Sequence, residues 1–220
     1  MKPAATTLIR RLGILGLISM LSYTAAVIFA PAAYPGYNWM GQAVSDLSAV
    51  SSPSRELWNQ IASLYNVCGL VALTLCCVFV QGKLTRTLRL GIYLFTLMSW
   101  VSAVGYTCFP LTESGYAGGF QNVMHVVVTA AVVLLSIMSL VLLIAGGFRR
   151  HTLPSLAVWA CIALGLMFAG SIGIGAAPKA FFGVFERFSV FSAVGFTAVL
   201  GIYLMKGFPS RVDAEVSAQA

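Results

Sequence analysis

Six stretches of the chain are almost continuously apolar: residues 12–30, 57–80, 90–109, 123–145, 156–177 and 188–205. A helix needs about 20 such residues to cross a hydrocarbon core about 30 Å thick. Each run is apolar all round instead of pairing a wet face with a dry one, which marks a spanning helix and not a surface one. The predicted fold is therefore all-α, a polytopic membrane bundle of six transmembrane helices, with residues 1–220 forming a single transmembrane domain. The longest polar linker is residues 31–52. Within it Trp39, Met40, Val44 and Leu47 recur at helical spacing, predicting a short interfacial helix over residues 38–49 with Trp39 at headgroup depth. Ser51, Ser52 and Pro53 then offer an N-cap and a first-turn proline to the second span, with Glu56 near the positive end of its dipole.

Charge sets the direction. With the N-terminus inside, Lys2, Arg10, Arg11, Lys83, Arg86, Arg89, Arg149, Arg150, Lys206 and Arg211 are cytoplasmic, and only Arg55, Lys179 and Arg187 are outside. A split of ten to three predicts an N-in/C-in bundle by the positive-inside rule, with residues 207–220 as a flexible cytoplasmic tail. Lys2, Arg10, Arg11 and the apolar run after them also resemble a signal peptide, but the run is longer than a usual signal core, so a retained first helix is expected.

Composition agrees: 59% of residues are hydrophobic and 9% charged, against about 25% charged in a soluble domain. The formal charge of +7 lies in short loops, where it reads as a topology signal and not as a nucleic-acid surface. Cys68, Cys76, Cys77, Cys108 and Cys161 sit in or beside apolar runs without metal-ligand spacing, and the only histidines are His125 and His151. No metal site and no cofactor are expected. Small residues repeat every fourth position at Ser189, Ala193, Thr197 and Gly201, and at Ala169, Gly173 and Ala177. Such stripes allow close helix packing, within one chain or in a homo-oligomer.

The polar residues gather at one face. Asp46, Glu56, Glu113 and Glu186 all fall at the outer end, as do His125 and Arg187. Asn59, Ser63 and Asn66 succeed one another at i, i+4 and i+7, a single helical face expected to turn into the bundle, because hydrocarbon cannot satisfy it. If these groups converge, Asp46 would orient His125 as an acid–base pair. Arg187 would hold a phosphate or carboxylate headgroup, with Glu186 fixing its guanidinium. The bland alternatives are a dipole-complementing Glu186, a snorkelling Arg187, a carbonyl-bonded His125 and asparagines that join helices. No nucleophile stands out; Ser45 neighbours Asp46 without an elbow motif.

Tyr37-Asn38-Trp39, then Val44-Ser45-Asp46-Leu47-Ser48-Ala49, Ser52-Pro53 and Leu57-Trp58-Asn59 resemble the first-loop signature of the bacterial domain-of-unknown-function family 998. Phe109-Pro110, His125 and Glu186-Arg187 come after them in matching order. The resemblance implies a six-helix, multi-pass protein of the bacterial inner membrane, and it nominates Ser45, Asp46, Asn59, His125, Glu186 and Arg187 as family positions without roles. Three functions are then open. One is an intramembrane enzyme acting on a lipid or isoprenoid substrate, with Asp46 and His125 catalytic and Arg187, Glu186, Asn59 and Ser45 binding substrate. The others are a non-catalytic binder or transporter of a lipid or small solute, and a structural assembly factor. Membrane lipid is the expected partner of all three.

Overall fold

The structure, a computed structural model, describes residues 3–113, 118–149 and 152–209. Lys2, Arg150, His151, Arg211, Asp213 and Glu215, and with them most of the expected tail, lie outside the described residues. All regular elements among the described residues are helical. Six segments among the described residues are long and apolar enough to span a membrane: Ala4–Ala33, Arg55–Phe79, Arg86–Cys108, Phe120–Phe148, Pro154–Ala176 and Lys179–Lys206. The first contains α1 (Pro3–Arg11) and α2 (Ile14–Phe29), and the second α3 (Arg55–Ile61) and α4 (Ser63–Phe79). The other four centre on single helices: α5 (Arg86–Cys108), α6 (Phe120–Phe148), α7 (Pro154–Ala176) and α8 (Phe182–Lys206).

Consecutive helices from α5 to α8 pack on one another, α8 closes on α2, and α4 lies against α2, α5 and α8. The packing is close because small residues face backbones. A Cβ on Gly201 would meet the carbonyl of Gly13 and the Cα of Gly16, and one on Gly170 would collide with Ser189. The small-residue stripe of the last helix is thus used within one chain, and Gly173 of the other stripe packs on the Phe185 ring, whereas Ala169 of that stripe is exposed. Hydroxyls add cross-helix bonds: Ser139 to the Gly91 carbonyl at 2.7 Å and Ser192 to that of Ala163 at 2.6 Å. Inside a membrane each such bond contributes about 0.6 kcal/mol.

Two cores fill the bundle among the described residues. The larger lies toward the end bearing Lys83, Arg86 and Lys206, the basic end, and includes Phe79, Leu88, Phe95, Phe196 and Leu204. The smaller lies toward the opposite, acidic end and is built from Tyr23, Ala26, Ala30, Val44, Leu47, Trp58 and Val194. Val44 and Leu47 belong to the first linker, so that linker is part of the core.

Four local expectations change, the smallest at the start of the second span, where the helix begins at Arg55 after Ser54, so that Ser51, Ser52 and Pro53 precede it instead of capping it. Residues 38–49 do not form one amphipathic helix; only Ser45–Ser48 winds into a 3-10 turn. Local side chains and one distant carboxylate, Glu186, capture this segment's N–H groups, and Val44 and Leu47 point into the bundle instead of along an interface. The last helix begins at Phe182 and not at residue 188. Its first turn is held from outside, since Gly183 and Val184 both donate to the Met40 carbonyl, at 2.8 and 3.2 Å.

The fourth change is larger: Asn59, Ser63 and Asn66 are exposed and face out of the bundle, while Trp58, Cys68, Gly69, Ala72 and Cys76 face in. A break at Ala62 fixes this orientation. There Tyr65 N–H bonds the Ala62 carbonyl, leaving the Ile61 carbonyl outside the helical ladder. Ser22 of α2 bonds that carbonyl at 2.6 Å, and Ser19 bonds that of Tyr65 at 2.7 Å.

Candidate functional site at the acidic end

The site is built around the backbone of the first linker. Ala43, Val44 and Ser45 present three successive N–H groups just before and at the start of the 3-10 turn, groups that no helical carbonyl serves. Asp46 reaches back three residues and accepts from Ala43 N–H at 3.0 Å, the logic of a capping box. Glu186, from the second turn of α8, accepts from Val44 N–H at 2.7 Å and also from Ser45 N–H. Two carboxylates thus bind three amides.

Arg187 does the converse. Its Nη1 donates to the carbonyls of Trp39 at 2.7 Å, Gln42 at 3.2 Å and Gly183 at 2.8 Å. Its Nη2 donates to the Tyr37 hydroxyl at 2.8 Å, and the Trp39 ring lies 5.9 Å from the guanidinium carbon. Tyr37 in turn donates to the Ala43 carbonyl at 2.8 Å. Burial pushes the Tyr37 phenol up to about 12, with the Arg187 charge and hydrogen bond pulling the other way. Gly183 makes the approach feasible: a Cβ there would strike the carbonyls of Gln42 and Trp39. The guanidinium is therefore a clamp on linker backbone, and Glu186 holds the linker's amides where the sequence suggested it would hold Arg187.

His125 belongs to a neighbouring device. The C-terminus of α5 leaves carbonyls without helical partners, and side chains from the first turns of α6 meet them. Gln121 donates to the Cys108 carbonyl at 3.1 Å, and His125 Nδ1 lies 2.9 Å from the Phe109 carbonyl. A carbonyl only accepts, so Nδ1 carries the hydrogen. Asn122 accepts from the Thr112 amide at 2.9 Å and its hydroxyl at 2.8 Å. The His125 ring lies on Tyr106, centroids 4.8 Å apart, and the Tyr106 hydroxyl continues to Thr129 at 3.1 Å. The two devices join through backbone, since Val50 and Ser51 N–H bond the carbonyls of Leu111 and Thr112 at 2.8 and 3.1 Å.

Asp46, Glu186, Arg187 and Ser45 are thus brought together around one turn, and His125 lies in the adjoining cap. Asn59 is apart from them, exposed on α3, where it lines a broad depression of about 560 Å³ with Ser52, Pro53, Arg55, Glu56 and Gln60. Tyr37, Gln42 and Asn122 also take part, although sequence reasoning does not single them out. Tyr37 sits in the first-loop motif, and Asn122 stands three residues before His125, the only signals that point to them.

Six apolar spans and a polar lock at one end define a multi-pass integral membrane protein. The chain belongs to the family of proteins of unknown function DUF998, whose family model matches residues 17–203. No curated protein and no solved structure matches it.

Proposed function

We propose that the protein is a non-catalytic component of a bacterial inner membrane, an assembly or scaffold factor whose outer end is a preformed platform. The positive-inside rule supports placing the basic end in the cytoplasm. One observation carries the reading: Asp46, Glu186, Arg187 and His125 each engage main-chain groups. Residues that a catalytic site would direct at substrate here fold a loop. Binding of a lipid or isoprenoid at the same end is the second reading, supported by the polar column of His125, Tyr106 and Thr129 beneath the linker.

Thermal unfolding in mild detergent, paired with native mass spectrometry of co-purified lipid, separates the two. For Asp46→Asn, Glu186→Gln and Arg187→Ala the scaffold reading expects a melting temperature several degrees lower, since about 1 kcal/mol corresponds to 2–4 °C at this size. Any bound lipid should remain. Unchanged melting with a lipid lost, above all in His125→Ala, would overturn the scaffold reading in favour of a ligand site.

A further inference from the structure

The second span presents a line of hydrogen-bonding side chains to the outside of the bundle. Asn59, Gln60, Ser63, Asn66 and Thr74 are all exposed, and none of their side chains makes a hydrogen bond within the described residues. Counting back about 20 residues of 1.5 Å from the basic end of α4 places the far edge of the hydrocarbon near Gln60. Ser63, Asn66 and Thr74 therefore lie at hydrocarbon depth, and Glu56 and Asn59 at headgroup depth. Serine and threonine can bond their own helix backbone. Asn66 carries four hydrogen-bonding sites on a face that lipid tails would cover.

We infer that this face of α3 and α4 is covered by a second copy of the same chain, making a two-fold homodimer. Amides suit such an interface, because each both donates and accepts, so Asn66 satisfies its counterpart when the same surface meets itself. Charge fits as well: Arg55 and Glu56 are adjacent and both exposed at the outer end of the stripe, so a two-fold axis running between them sets each opposite its complement. This surface differs from the small-residue stripes of α7 and α8, of which Gly173 and Gly201 already pack within the chain. It also shares no residue with the linker lock, so either proposal can fail alone.

The test is Förster transfer between donor- and acceptor-labelled full-length chains in liposomes across a range of protein-to-lipid ratios, with native mass spectrometry in mild detergent. The wild type should give transfer that rises with protein density and saturates, and a dimer mass. Asn66→Leu, which leaves the bundle-facing side untouched, should weaken dimerisation about fivefold to thirtyfold, while Asn66→Gln should retain most of it. A monomer mass with transfer no greater than random proximity would overturn the inference. So would a dimer unaffected by Asn66→Leu, a lipid lost from a monomeric protein on that substitution, or a stoichiometric partner of another sequence.

Discussion

Arg187 acts by geometry as well as by charge. Its planar fork reaches three carbonyls and a phenol at once, which an ammonium on a flexible stem cannot do. Arg187→Lys should therefore lower stability in detergent by about 1.5–3 kcal/mol, nearly as much as Arg187→Ala, read as a fall in melting temperature. Gly183→Ala should cost about 1–3 kcal/mol by driving a methyl into the Gln42 and Trp39 carbonyls. Tyr37 gives a pH signature. Its phenol is raised above the ordinary value of 10.0 to about 12, so the folded state favours the protonated form. That contribution is fully present below pH 10.0 and is lost as pH rises through about 12. Alkaline titrations of melting temperature should show a shallower loss in Tyr37→Phe than in the wild type.

Among the elements, the second span shows how side chains of one helix set the course of another. The Ile61 carbonyl is left out of the ladder at Ala62, and Ser22 takes it up. Ser22→Ala should cost about 1–2 kcal/mol by leaving that carbonyl unmet, whereas Ser63→Ala on the outward face should leave monomer stability within about 0.5 kcal/mol. Paired melting curves of the two variants check both expectations. The same break explains why the polar face of this span turns outward against expectation. A run apolar nearly all round carries little of the moment that tells inside from outside in a soluble helix. The inward face was chosen by Gly69 and Ala72 fitting beneath neighbouring helices, and by Ser19 and Ser22 reaching two carbonyls.

At the scale of the whole molecule, the bundle has one end closed by apolar packing and the other by a polar lock that ties the first linker to the last helix. If the positive-inside rule holds, impermeant maleimide should label Lys83→Cys only from the cytoplasmic side and Trp39→Cys only from the other, in a background without the native cysteines. The swapped pattern would overturn the orientation, and labelling of both positions from one side would remove the span between them.

Six spans could be read from the chain because length and apolarity are properties of consecutive residues, and hydrocarbon accepts little else. Candidate residues at the acidic end could be read too, since ionisable groups stand out against such a background. Their roles could not be. Glu186 meets Val44 across 142 residues, and Arg187 meets Trp39 across 148 and Tyr37 across 150. Only the closing of α8 against α2 and the first linker brings those groups within reach. Local spacing at residues 38–49 favoured a helix, but the amides and carbonyls that would have built it found stronger, charge-assisted partners on another helix. The tertiary structure decided that contest, because the strength of a hydrogen bond depends on which groups lie beside it in space and not on its neighbours along the chain.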